Sequence, residues 1–306
     1  MRILVTGTKG QVAQAIAERA VEHGVDAHFL GRPDLDLADA PETITETLCA
    51  AARDCEAQAI INAAAYTAVD RAESEEALAS AINGAGAGAV AKAAHRLGLP
   101  MIQLSTDYVF DGEKRGPWLE SDPTTPLSAY GRSKLAGEEA VRRATSNHVI
   151  LRTAWVYSPF GANFVKTMLR LAGEGRTELR VVSDQEGCPT SAFDIADATI
   201  AIAQKLAAEP DNAAQRGTFH LAALGHTNWA GFARAILAGS QRRKGPGASV
   251  IPIATTDYPT PARRPKNSVL DTRRLAETYE INLPGWQASL DVVLDRLMRE
   301  PANKAS

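Results

Sequence analysis

Cysteine is scarce in this chain, which has only Cys49, Cys55 and Cys188. An odd number without C-x-x-C spacing points away from a disulfide framework and toward reduced thiols in a cytoplasmic protein. The six histidines lie apart, with no H-x-x-x-H pair near an acid, so no metal is expected. Charge of one sign is also missing. Charged residues make up 23% and the net charge is −3, which gives nucleic acid or a charged membrane no electrostatic footing. Long apolar runs are absent too. Ile3-Leu4-Val5 ends at once in Thr6-Gly7, unlike a signal peptide, and no stretch approaches a membrane span. There is no internal repeat.

What is present suits an α/β protein. Apolar residues make up 45% of 306 residues, enough for one large domain or two modest ones. Short branched apolar runs at 2–5, 27–30, 59–62, 101–105 and 148–153 predict buried strands. Helical spacing fills 11–23, an Ala-rich stretch at 77–97 and the segment 134–144. Alternation of this kind predicts a Rossmann-type, doubly wound parallel sheet with both faces covered. Residues 1–155 are expected to form the dinucleotide-binding domain, completed by segments from about 180–222. Residues 156–306 are expected to be mainly a smaller C-terminal substrate-binding domain. The segment 246–267 holds five prolines and reads as a structured loop over a cleft.

Gly7-Thr8-Lys9-Gly10-Gln11-Val12-Ala13 is G-x-x-G-x-x-A between a strand and a helix. Such a turn lets the backbone approach a pyrophosphate, and the helix start offers free N–H groups to it. A plain tight turn would also explain the glycines, but the N-terminal strand-turn-helix setting favours phosphate. No G-K-[ST] follows, which excludes a Walker loop. The second strand ends in Gly31-Arg32. An acid there would bind a ribose 2′-hydroxyl and repel a 2′-phosphate. Its absence and the presence of Arg32 lean toward NADPH, with NADH and a surface role for Arg32 left open.

Tyr130 and Lys134 form Y-x-x-x-K on one helical face. Carbonyl reduction needs a proton donor as well as a hydride. A free phenol has a pKa of about 10. An ammonium ~4 Å away at an effective dielectric of ~20 attracts its phenolate by about 4 kcal/mol, so Lys134 is expected to lower the Tyr130 pKa toward neutrality. Such a pair is common by chance on helix surfaces. Ser105-Thr106-Asp107 strengthens it by standing at a strand's C-terminal end, where open α/β sheets place ligands. Asn83, a poor helix former inside the Ala-rich helix, is a candidate anchor for a water or for Lys134.

Taken together, MRILVTGTKGQVAQ at the start, INAAAYTAVDRAESE at 61–75, LSTDYVFDG at 104–112, YGRSKLAGE at 130–138, LRTAWVYSPFGANFVKTMLRLA at 151–172 and YPTPARRPKNSVLDT at 258–272 resemble the extended short-chain dehydrogenases, and within them the dTDP-4-dehydrorhamnose reductases. The resemblance spans nearly the whole chain. It implies NADPH-dependent reduction of the C4 ketone of dTDP-4-dehydro-6-deoxy-L-mannose to dTDP-L-rhamnose.

At matching positions it implies that Gly10, Gln11 and Val12 line the pyrophosphate beside Gly7. Asp36 and Leu37 would sit at the adenine, and Ala65, Tyr66 and Thr67 would flank the nicotinamide. Thr106, Tyr130 and Lys134 would be catalytic, with Lys134 also holding the ribose. Trp155 would contact substrate, as would Asp107, Tyr108 and Asn163, and Arg264 would approach the nucleotide diphosphate. Relatives with a magnesium-bridged dimer carry Glu where this chain has Ala15 and Phe193. Neither is an oxygen donor, so a monomer or weak homodimer is expected. Two other functions stay open. One is an epimerase or dehydratase that keeps NAD and returns the hydride. The other is a non-catalytic cofactor-binding subunit like that of methionine adenosyltransferase.

Overall fold

The computed structural model describes residues 1–299. The end of the expected C-terminal unit, 300–306, lies outside the described residues. In chain order the first elements are β1 (Arg2–Thr6), α1 (Gln11–Glu22), β2 (Asp26–Leu30), α2 (Pro41–Asp54), β3 (Ala59–Asn62), α3 (Val69–Ala72), α4 (Glu76–Ser80), α5 (Ala87–Leu97), β4 (Met101–Thr106), α6 (Ala129–Ala144) and β5 (His148–Thr153). Then come β6 (Val156–Tyr157), α7 (Phe164–Gly173), β7 (Glu178–Val182), β8 (Glu186–Gly187), β9 (Thr190–Ser191), α8 (Ala192–Ala208), β10 (Gly217–His220) and β11 (Thr227–Asn228). The last are α9 (Trp229–Arg242), β12 (Ser249–Ile253), β13 (Asn267–Ser268), α10 (Arg273–Tyr279) and α11 (Trp286–Arg299).

The central sheet is parallel, with strand order β10-β5-β4-β3-β1-β2. Strand residues alternate between its faces. Ile3, Val5, Ile61, Ile102, Val149 and Leu151 pack with Ile16 and Ile195 of α1 and α8. Leu4, Ile60, Met101 and Ile150 pack with Leu48, Val90 and Val141 of α2, α5 and α6. A third core joins α7, α9 and α11 with β7 through Val165, Leu179, Phe232 and Leu290.

β2 and β3 flank β1 on opposite sides, so the chain reverses its winding there. Crevices at such switch points, outside the carboxyl ends of strands, are where open α/β sheets hold ligands. A buried polar row braces these ends. Thr6 donates to Asn62, Asn62 Nδ2 donates to Gln103 Oε1 at 2.8 Å, and the Ala64 amide donates to Thr6 Oγ1 at 3.3 Å.

Three sequence expectations need correction. The Ala-rich helix is not continuous, because a π-turn over Ala81–Gly86 separates α4 from α5. Close packing accompanies it. A Cβ on Gly86 would stand 2.5 Å from the Leu37 carbonyl oxygen, and one on Gly137 only 2.1 Å from that of Asn83. Helix α6 starts at Ala129, capped by Ser128 Oγ, which accepts from the Gly131 amide. The proline-rich 246–267 segment is not all loop, because Val250, Ile251 and Ile253 carry β12 alongside β7.

Candidate active site

A cleft of about 800 Å³ opens at the switch point. Its first wall is the turn after β1. Gly7 has φ +89°, and a Cβ there would touch Ala64. Gly10 caps α1 without a side chain, and the first helical turn carries no acid. The free amides and the positive end of the helix therefore face an anion without competition. Gln11 and Val12 line the same wall. A dinucleotide's pyrophosphate fits this cradle.

Beyond it stand Gly31, Arg32, Asp36 and Leu37. A Cβ at Gly31 would sit tightly against Thr8 at 3.3 Å and Gly7 at 3.4 Å, so a side chain there would have to push the Thr8 side chain aside. Arg32 is largely exposed, with Asp36 4.0 Å away. That distance leaves the guanidinium free to meet a phosphate.

The opposite wall contains Ala65 and Thr67. Tyr66, expected beside them, does not line the cleft. Its hydroxyl donates to Glu75 at 2.6 Å, and its backbone is gripped by Asn83, which accepts from the Tyr66 amide at 2.8 Å and donates to its carbonyl at 3.0 Å. Asn83 also donates to Ser133 Oγ at 2.9 Å. Its role is to tie the 63–67 turn to α6, not to anchor Lys134. The π-turn puts its side chain there, in keeping with the frequent placement of such bulges at functional sites.

Thr106, Tyr130 and Lys134 meet in the cleft. Thr106 Oγ1 accepts from the Tyr108 amide at 3.2 Å and lies 2.9 Å from Asp107 Oδ1. Tyr130 meets Tyr108 edge-on, with centroids 5.6 Å apart. Lys134 is buried, and its Nζ donates to the Leu104 carbonyl at 2.7 Å.

The electrostatics differ from expectation. Burial pushes Tyr130 up to about 12, opposed by a hydrogen bond with Thr106 and reinforced by Asp107. Burial pulls Lys134 down to about 8 against the attraction of Glu138. Burial is thus the largest influence at both groups, opposed at Tyr130 by the Thr106 hydrogen bond and at Lys134 by the Glu138 charge. Asp107 is pushed up to about 6 by burial, with Ser268 and Thr106 opposing. Its Oδ2 has no hydrogen-bond partner among the described residues.

Trp155 and Asn163 also line the cleft, as do Tyr108 and Asp107. Asn163 is already engaged. Its Nδ2 donates to Gln11 Oε1 at 3.0 Å and to the Ser158 and Phe160 carbonyls, while its Oδ1 caps α7. It steadies the pyrophosphate wall and has no amide hydrogen aimed at a sugar. Arg264 lies off the main cleft, in a second cavity of about 250 Å³ with Tyr258, Arg263 and Lys266. There it donates to Asp70 at 2.7 Å.

The sequence reading missed Thr153 and Trp229, both in the cleft wall. The Thr153 hydroxyl has no partner among the described residues. Of the magnesium-linked positions, Ala15 is buried in the core and Phe193 packs edge-on against Phe160. The described residues contain no cluster of three His, Cys, Asp or Glu suited to a metal. They also contain no helix long and apolar enough to cross a membrane.

With this geometry in place, likeness to known proteins becomes informative. The RmlD substrate binding domain family matches residues 1–299. A dTDP-4-dehydrorhamnose reductase of Sinorhizobium fredii is 49% identical over 94% of this chain and 95% of its own length. Among solved structures, a dTDP-4-dehydrorhamnose reductase from Clostridium acetobutylicum is 38% identical, with a TM-score of 0.85 over 97% of this chain and 99% of its own. The reductase of Bacillus anthracis, solved in complex with NADP, is 32% identical, with a TM-score of 0.86 over 96% of this chain and 99% of its own.

Proposed function

The chain belongs to the RmlD substrate binding domain family, alongside dTDP-4-dehydrorhamnose reductases, and from that membership we propose that it reduces the C4 ketone of dTDP-4-dehydro-6-deoxy-L-mannose to dTDP-L-rhamnose. The observation that carries the reading is the convergence of Thr106, Tyr130 and Lys134 on the cleft that begins at the glycine turn. A non-catalytic binding subunit has no use for that set.

NADPH bound along Gly7, Gly10, Gln11 and Val12 supplies the hydride, with NADH the alternative donor. Tyr130 Oη gives its proton to the carbonyl oxygen. Burial keeps that phenol protonated at neutral pH, so it suits the reduction direction. The Thr106 hydroxyl orients the carbonyl, with Asp107 and the Tyr108 amide fixing it. Lys134 holds the nicotinamide ribose. The Trp155 edge and Tyr108 border the sugar, and Arg264 faces the nucleotide's phosphates from the second cavity.

Residues 1–155 with the segments from about 180–222 serve the cofactor, and the rest mainly serves substrate. The protein acts as a monomer or weak homodimer, since neither Ala15 nor Phe193 can ligate magnesium. Its three free thiols suit the cytoplasm.

The test is a panel of nucleotide 4-keto sugars followed by NADPH absorbance. Oxidation with dTDP-4-dehydro-6-deoxy-L-mannose is expected. Stoichiometric NAD in the purified protein, with no net NADPH consumption, would identify an epimerase instead.

Two further outcomes are expected. Arg32→Asp replaces the cation beside the adenosine ribose with an anion and should move the NADPH-to-NADH preference about tenfold toward NADH. Steady-state kinetics with both cofactors measure this, and an unchanged ratio would make Arg32 a surface residue. The second concerns pH. Lys134 loses its proton as pH rises through about 8, so kcat/KM for NADPH should fall along a limb there. A flat profile between about pH 7 and about 9 would remove the ammonium from cofactor binding.

A further inference from the structure

We infer that Trp229 and Gln185 are positioning residues that fix the edge of Trp155 against the nucleotide sugar, and that they govern the grip on substrate and not on cofactor. The inference rests on the reductase reading above. Trp155 follows β5 with φ +48°, a conformation bulky side chains rarely adopt. Its ring is held on both faces. Trp229 stacks on one, with centroids 3.6 Å apart and planes 7° from parallel. Gly187 covers the other, since a Cβ there would stand 2.4 to 2.8 Å from Trp155 Cε2, Nε1 and Cζ2. Packed in this way, Trp155 lines the cleft beside Trp229.

Trp229 is in turn fixed. Its Nε1 donates to Gln185 Oε1 at 3.2 Å, and Phe164 leans on its ring with centroids 4.6 Å apart. Gln185 is buried, and its Nε2 donates to Thr255 Oγ1 at 2.9 Å. Thr255 donates to Asp184 through both its amide and its hydroxyl. The amide of Gln185 is thus oriented at both ends.

Gln185 also lines the second cavity, with Arg264 and Lys266, whereas Trp155 and Trp229 line the main cleft. One side chain therefore joins the sugar's wall to the cationic cavity. A nucleotide sugar laid across both would be located by this chain of contacts. NADPH, on the glycine-turn side, would not.

The experiment compares wild type, Trp229→Leu, Trp229→Phe and Gln185→Leu in KM for each substrate, with near-UV circular dichroism to follow coupling between the stacked indoles. Thermal unfolding and NADPH binding report folding. Trp229→Leu should abolish the indole coupling and raise the sugar KM about tenfold or more, while KM for NADPH stays within about twofold. Trp229→Phe, which keeps a flat ring, should recover most of the sugar KM. Gln185→Leu should raise the sugar KM with both tryptophans intact.

A folded Trp229→Leu enzyme with unchanged sugar KM overturns the inference. So does a parallel rise in both KM values, or loss of folding in both leucine variants, which would assign the pair to the core. A wild type inactive on the keto sugar overturns the reductase reading first and this inference with it. An active wild type whose variants keep their sugar KM overturns this inference alone.

Discussion

Tyr130→Phe is expected to leave the protein folded and NADPH affinity near normal while turnover falls about 10²- to 10⁴-fold, the range a positioned general acid supplies. The change deletes one hydroxyl and little else. The ring still meets Tyr108 edge-on, and the helix cap at Ser128 is untouched. What disappears is the partner of Thr106 and, in the mechanism proposed above, the proton source for the ketone oxygen. Because burial holds the phenol up to about 12, the wild type carries that proton throughout the neutral range, and its loss should show at every pH in that range. Single-turnover mixing of the NADPH complex with keto sugar separates chemistry from release. A near-normal kcat would give the proton transfer to another group, with Asp107, which lines the cleft beside Thr106, the first candidate.

The parts of this site that were legible in the sequence are those whose chemistry is local. The Gly7–Ala13 turn needs only its own glycines and the helix that follows. Tyr130 and Lys134 are one helical turn apart, and Thr106 ends a strand that reads as apolar. Trp229 had no such signature. It matters through a stack on Trp155, and nothing in the sequence around it forecasts that contact. The π-turn was hidden for a similar reason. Alanine favours helix throughout 77–97, and the distortion sits where Leu37 and Gly137 of α6 approach closely, contacts that sequence does not show. β12 escaped notice because its proline suggested a breaker. Pro252 lacks an N–H, yet a strand paired on one side tolerates that. The burial of Tyr130 and Lys134 was not legible in their spacing, because desolvation depends on everything packed over them.

The largest stability effect is expected one layer beneath the site, at Arg152. Its Nε and Nη2 donate to the two oxygens of Glu138 at 2.9 and 2.8 Å. The two side chains are 3% and 0% exposed. Ser105 Oγ donates to the same carboxylate at 2.6 Å, and Ser105 lies between Leu104, which holds Lys134, and Thr106 in the cleft wall. Arg152→Met keeps much of the volume over the Phe110 ring but strips a buried anion of its main partner. Urea unfolding should show a loss of about 3–5 kcal/mol, a large share of the roughly 5–15 kcal/mol that holds a typical domain together.

The pH dependence gives a second check. In the wild type burial raises the Glu138 pKa, but Arg152, through hydrogen bonds and charge, together with the Ser105 hydrogen bond and the Arg142 charge outweighs it, and the net direction is downward. The stability this contributes is present above the ordinary carboxylate range and is lost as pH falls through the lowered value. Without Arg152, burial dominates and the folded-state pKa moves above the unfolded one. Protons then favour the folded variant, so its deficit should shrink on acidification and widen toward neutrality. Adding Glu138→Gln to Arg152→Met removes the stranded charge and should recover part of the loss, with a coupling energy outside the additive range. A deficit under about 1 kcal/mol that does not change with pH would mean that Arg142, the other cation on this carboxylate, neutralises it unaided.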